Sequence, residues 1–207
     1  MAEVIHVHPV NPQGRLLSRA ADVLRAGGVI VYPTDSSYAL GCPVGDKTAL
    51  ERIRRIRRIE RDHDFTLVCR DLAEISDYAR VENWAYRLLR SRTPGPYTFI
   101  LRAAHGVPKR LQDPKRRSIG IRVPASVIVA ELLALLGEPI MSSTLLLEGD
   151  AFPLADPDEI NRRLGGQVDL IIDSGSCGIE PTTVLDLTGG GVEIIRAGKG
   201  DVSGLTD

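Results

Sequence analysis

Four stretches of this sequence gather side chains able to receive an anion. The first, YPTDSSYALG at 32–41, sets Thr34, Asp35, Ser36 and Ser37 directly after an apolar run, and Pro33 removes a ladder donor where strand pairing should stop. Open α/β sheets bind ligands at such carboxyl strand ends, although an ordinary Asx or serine-rich turn has the same composition. The second, RIRRIRRIERDHDF at 52–65, winds six arginines around isoleucines at helical spacing. Like charges three and four residues apart repel by about a few tenths of a kcal/mol per pair. Glu51 and Glu60 with the nearby aspartates offset part of that. Two readings stand for Arg54, Arg55 and Arg58: contact with phosphate or RNA, or a plain solvated face.

The third stretch, PKRLQDPKRRSIGIRVP at 108–124, places Lys109, Arg110, Lys115, Arg116 and Arg117 before a strand that carries Arg122. These five cations are the second set of candidate RNA contacts. Arg122 lies between Ile121 and Val123 and points to the opposite sheet face, so if that face is covered its guanidinium needs a carboxylate, a ligand or backbone carbonyls. The fourth, IMSSTLLLEGD at 140–150, ends an apolar strand in Ser142, Ser143 and Thr144. Those hydroxyls suit phosphate oxygens, and equally suit a turn or a helix cap.

Other chemistries find less support. GSCG and TGGG near the C-terminus follow neither the dinucleotide-binding nor the P-loop glycine pattern. His6, His8, His63 and His105 stand beside no nucleophile motif. Cys42, Cys69 and Cys177 are widely spaced and odd in number, which suggests neither zinc nor disulfides. No metal site of the protein's own is expected.

The elements that must position these groups are those of an α/β chain. Residues 4–8 and Val29–Tyr32 read as strands around a helix over 14–26, which Gly27 and Gly28 stop. Asp46 should cap a helix from Lys47 to about Ile59. A strand over Phe65–Cys69 and helices near 71–79 and 82–91 follow. Further strands are expected at Tyr97–Arg102, Ser118–Val123, Pro139–Ser143, Val168–Ile172, Thr183–Leu187 and Val192–Arg196, with a helix at Ser126–Leu136. Segment 147–160 is the least regular, a surface loop or a lid.

With 207 residues, 43% of them hydrophobic, the chain can bury one large core unaided. The formal net charge is -1, so anion binding must come from local clustering. Only Lys47, Lys109, Lys115 and Lys199 among the 26 basic residues are lysines, and arginine's planar fork suits phosphate and carboxylate. With an acidic Glu3 near the start and no long apolar run, a cytoplasmic protein without membrane segments is expected.

Taken together and in order, YPTDSSYALG, TPGPYTFIL, SIGIRVP, GEPIMSST, VDLIIDSG, PTTVLDL and IIRAG resemble the YrdC/YciO family over about residues 14–198. The resemblance implies a single domain with an open twisted mixed β-sheet flanked by helices and a large positive cavity. It implies a threonylcarbamoyl-AMP synthase-like activity, joining L-threonine, bicarbonate and ATP with Mg²⁺ to give pyrophosphate, in the service of a tRNA modification. It would set Thr34, Arg122 and Thr182 on the threonine part, and Ser118, Ser143, Thr144 and Arg196 by the nucleotide. Synthases of this family carry a K-x-R-P motif whose Lys and Arg fall here on Ile59 and Arg61, leaving Arg57 or Arg58 as the nearest substitute cation. Their Ser-Ala-Asn motif corresponds to Thr144, Leu145 and Leu146, and Leu146 has no amide to offer. These departures resemble the YciO branch, for which binding of tRNA, double-stranded RNA or the ribosome without efficient synthesis is the alternative expectation.

Overall fold

The computed structural model describes residues 1–59, 65–105, 107, 112, 113 and 117–205. The expectations for Arg61, Lys109, Arg110, Lys115 and Arg116 lie outside these residues. In chain order the elements are β1 (Glu3–His6), α1 (Gly14–Arg25), β2 (Ile30–Pro33), β3 (Tyr38–Pro43), α2 (Lys47–Arg57) and β4 (Thr66–Val68). There follow α3 (Leu72–Tyr78), β5 (Ala79–Arg80), α4 (Asn83–Arg92), β6 (Tyr97–Ala103), β7 (Ser118–Arg122) and α5 (Val127–Leu136). The last elements are β8 (Ile140–Thr144), α6 (Pro157–Leu164), β9 (Leu170–Asp173), β10 (Thr183–Asp186) and β11 (Glu193–Arg196).

All the strands join one open mixed sheet in the order β1-β9-β2-β3-β8-β4-β7-β6-β10-β11, with β5 paired to β6. β1 pairs with β9, and Leu205 is buried, so the fold takes in residues on both sides of 14–198. Among the described residues no helix is long and apolar enough to cross a membrane.

Alternation along the strands gives the sheet two unlike faces. On the first, Leu40, Leu67, Phe99, Ile121 and Met141 form one continuous core with Leu50 and Ile53 of α2, Ile75 of α3, Leu89 of α4 and Ile160 of α6. On the second, α1 and α5 bury Ile30, Tyr32, Leu170, Ile172, Val68 and Ile140 beneath Leu17, Leu24, Leu132 and Leu133. That pair of helices covers only part of the sheet. Beyond it, Ser142, Thr66, Gly120 and Ile100 lie side by side in register across β8, β4, β7 and β6. These residues, small or hydroxylated except for Ile100, form the floor of a cleft.

Two parts of the fold differ from the sequence reading. Residues 38–43 are a strand, so the polar loop after β2 is the turn of an antiparallel hairpin. Segment 147–160 contains the start of α6, where the Asp156 carboxylate accepts from the Asp158 and Glu159 amides at 2.8 and 3.1 Å and Pro157 opens the helix. The Asp156-Pro157 signal was present in the sequence.

α2 ends at Arg57, two residues short of the expected end. Arg58 takes the left-handed conformation at φ 52, and the Ile59 amide turns back to the Arg54 carbonyl at 3.1 Å while its side chain packs on the core. At the other end the Asp46 carboxylate accepts from the Ala49 amide at 2.9 Å, as expected. Asp46→Ala should lower unfolding free energy by about 1 kcal/mol in urea melts, the usual worth of such a cap, with little change in the slope of the transition.

Candidate functional site

The uncovered half of the second face is the floor of a cleft of about 580 Å³. Its walls come from the end of the β2–β3 hairpin, the C-terminus of α2, the loop after β8 that carries Phe152, and the segment from Ile179 to Thr182 with Arg196. Arg57, Arg122 and Arg196 line it, with the hydroxyls of Ser118, Thr66, Thr98, Ser142, Ser143, Thr144 and Thr182, and no carboxylate is among the described lining residues.

Arg122 is buried at the end of β7, as the alternation Ser-Ile-Gly-Ile-Arg requires. It is held by Asp35 from the hairpin turn, a pair in which each side chain is only 9% exposed. The second Asp35 oxygen accepts from the Ala125 amide at 2.8 Å, and Arg122 also donates to Ser36 Oγ at 3.3 Å. Arg122 Nε is buried with no hydrogen-bond partner among the described residues. A buried orphan donor on a guanidinium is unusual and marks where an acceptor is wanted.

Thr34 lies beside this cleft and is not part of its lining. Its hydroxyl donates to the Ser37 carbonyl at 2.7 Å and accepts from the Ser36 and Ser37 amides, both at 3.2 Å. It therefore shapes the turn, while Ser37 reaches the cleft wall. The Lys199 ammonium closes the turn from above by donating to the Asp35 carbonyl. Lys199 can lie there because Gly198 passes against the 181–182 backbone, where an added Cβ would sit 2.3 Å from the Pro181 carbonyl oxygen.

Arg57 and Arg196 stand at other sides of the cleft. Arg57 donates from Nε to the Leu146 carbonyl at 3.0 Å and from Nη1 to Ser143 Oγ. Arg196 donates to the Thr182 carbonyl at 3.0 Å and to Thr182 Oγ1 at 3.2 Å, and Thr182 in turn bonds Thr98. Desolvation lowers the pKa of both guanidiniums, so burial works against their charge, and a bound anion would offset that cost. Tyr32 hydrogen-bonds Ser142 at 2.6 Å where the helix-covered half meets the cleft, and burial raises its pKa to about 12, which keeps it a neutral donor or acceptor.

The structure thus brings Arg57, Arg122, Ser118, Ser143, Thr144, Thr182 and Arg196 to one cavity. Sequence reasoning missed Gly120, Thr66 and Thr98: the two-residue period of β7 puts Gly120 on the face of Arg122, whereas Thr66 of β4 and Thr98 of β6 reach that face only through the pairing of strands. Added at Gly120, a Cβ would meet only Thr66 Oγ1 and Thr98 Cγ2 at 3.6 Å, so the glycine leaves the floor low without being sterically obligatory.

The arginine-rich helix is more committed than its sequence suggests. Arg52 bonds both Asp169 oxygens at 2.6 and 3.1 Å, Arg54 bonds Glu51 at 2.8 Å and lies over the Phe65 ring at 5.2 Å, and Arg58 bonds Glu148 at 2.9 Å. The mutual repulsion that favoured a polyanion partner is therefore met from Asp169 and Glu148, far away in sequence. Arg55 and Arg117 are exposed.

Comparison with known proteins bears on what the cleft is for. The profile of the Sua5/YciO/YrdC family, described as telomere recombination, matches residues 22–198. The chain belongs to this family. YciO of Escherichia coli (strain K12) is 53% identical over 202 residues, 98% of each chain, and the E. coli YciO crystal structure superposes with a TM-score of 0.95 over 99% of this chain and 100% of that one. The threonylcarbamoyl-AMP synthase of Stenotrophomonas maltophilia (strain K279a) is 31% identical over 85% of this chain and 96% of its own length. P. abyssi Sua5, crystallised with L-threonine, superposes with a TM-score of 0.86 at 25% identity, over 94% of this chain and 57% of that one.

Removing Asp35 would strand a buried guanidinium. Asp35→Ala should cost about 3–5 kcal/mol in urea melts, and Asp35→Ala with Arg122→Met should recover most of it, because the loss comes from the unpaired charge.

Proposed function

We propose that this cleft binds L-threonine and an ATP-like nucleotide, and that the protein is a threonylcarbamoyl-AMP synthase-type nucleotidyltransferase altered at its nucleotide end. The observation that carries this is the convergence of Arg57, Arg122 and Arg196 on one hydroxyl-floored cavity whose described lining has no carboxylate. Such a surface suits ligands that bring several negative charges. The complex of P. abyssi Sua5 with L-threonine and the synthase of S. maltophilia supply the substrate class.

In this reading Arg122, Thr182 and the turn built by Thr34 hold the threonine, with the Arg122 Nε–H directed to its carboxylate. Arg57, Ser118, Ser143, Thr144 and Arg196 hold the phosphates. The threonine amine combines with bicarbonate to give a carbamate and water. A carbamate oxygen then attacks the α-phosphorus in line, and pyrophosphate departs with the electron pair of the broken P–O bond. Positioning and positive charge carry the step, so no protein base is needed. Mg²⁺ would arrive on the triphosphate, held largely by phosphate oxygens and water.

The alteration lies at Leu146 and Ile59. Leu146 lines the cleft with an apolar side chain where the synthases present an amide, and Ile59 packs on the core where they present a lysine. Threonine-dependent pyrophosphate release from ATP, bicarbonate and Mg²⁺ is the expected activity. Leu146→Asn should raise it about 5- to 100-fold, the worth of one recovered contact to a charged oxygen. Gly120→Leu, which fills the floor, should abolish it while the protein stays folded. Release at background in both the wild type and Leu146→Asn would exclude the assignment.

A second reading, docking of tRNA or double-stranded RNA at the mouth of the same cleft, is favoured by one observation. Arg58 and Arg117, the non-glycine residues with positive φ among the described residues, at 52 and 53, are both exposed and directly follow or precede the cleft-lining Arg57 and Ser118. Exposed cations flanking the cleft lining are where the phosphates of a polyanion would be met first. Affinity for a tRNA should fall with salt, and Arg55→Ala, Arg58→Ala and Arg117→Ala together should reduce the slope of log K against log salt by about 2 to 3. An unchanged slope excludes this surface.

A further inference from the structure

A second cavity, of about 630 Å³, is lined by the Val123–Val127 segment that follows the strand carrying Arg122. It shares no lining residue with the first. Its floor and walls are mostly apolar, from Leu72 and Ala73 of α3, Pro94, Val123 and Pro124, and Val127 and Ala130 of α5. Val127 is left 47% exposed by the fold, in contrast to the buried Ile128 and Val129 that follow it.

The polar groups at the mouth have one sign to offer. Arg70 and Arg90 both line it. Asp71, the carboxylate beside them, has its oxygens engaged: Oδ1 accepts from the Glu74 amide at 2.9 Å as the cap of α3, and Oδ2 accepts from Arg70 at 3.2 Å. Glu74 accepts from the Arg70 amide at 2.6 Å. Arg90, exposed in the last turn of α4, makes no hydrogen bond or ion pair among the described residues. An apolar hollow with a free guanidinium at its edge matches a molecule with an apolar tail and an anionic head.

We propose that this cavity is a second ligand site, for a straight-chain carboxylate of medium length whose tail lies along Leu72, Val123, Val127 and Ala130 and whose head meets Arg90. The site is independent of the cleft and of what the cleft binds.

The test is calorimetric titration of the full chain with hexanoate, octanoate and decanoate, each below its micelle concentration. Binding should be saturable and should tighten about fourfold per added methylene, as burial of each CH₂ requires. Decylammonium, with the same tail and the opposite charge, should bind more weakly than decanoate. Ala130→Trp, an exposed helix position facing the cavity, should remove decanoate binding, and Arg90→Glu should weaken it about tenfold or more by losing a charge-assisted contact. Gly120→Leu should leave it unchanged, which separates this site from the first cleft. No saturation by decanoate, equal affinity for decylammonium, or unaltered binding in folded Arg90→Glu protein would each overturn the proposal.

Discussion

The structure depends on a sheet wider than the helices available to cover it. Four helices seal one face, whereas α1 and α5 seal the other only over the β1-β9-β2 side and the adjoining ends of β8 and β4. The remaining strands must still offer apolar side chains to the sealed face, and two-residue alternation then fixes which residues face the open one. Large apolar residues there would stay exposed to water. Most of that floor is serine, threonine and glycine, with Ile100 and Val184 beside them, and the cavity follows from what is missing above it.

An open polar floor needs fixed walls, and these come from charge pairing between segments remote in sequence. Asp35 joins the turn after β2 to Arg122 at the end of β7 and to the start of the segment leading into α5. Because both partners are nearly dry, their attraction is weakly screened, and their separation would leave an unpaired charge in a low-dielectric site. Arg196 and Arg57 close the other walls through backbone carbonyls, so their positions are set by the course of the main chain. Arg57 and Arg122 are buried, and Arg196 stands at the exposed edge, so an anionic ligand would meet two of the three guanidiniums where solvent screening is weak.

Much of the fold was legible because its signals are local. The Asp46 cap and the Gly27 stop bound helices that the structure contains, at φ 84 for the glycine. The strands read from short apolar runs are present within a few residues of their expected bounds. The hairpin strand Tyr38–Pro43 was hidden by the polar turn in front of it, and α6 by a proline and acidic run that reads equally as loop. Arg58 in a left-handed conformation could not be read, since only the packing of Ile59 on the core makes that turn worth its strain.

The sequence by itself determined the side-chain alternation of each strand, the direction of Arg122, the helix caps and the family to which the chain belongs, because these follow from neighbours along the chain. Only the tertiary structure decided which half of the sheet is left uncovered, that Asp35 is the partner of Arg122, that Asp169 and Glu148 answer the arginines of α2, and that a second hollow forms along the Val123–Val127 segment. Each of those is a contact between segments separated by dozens of residues, and a two- or four-residue period carries no information about which distant segment arrives to meet a given face.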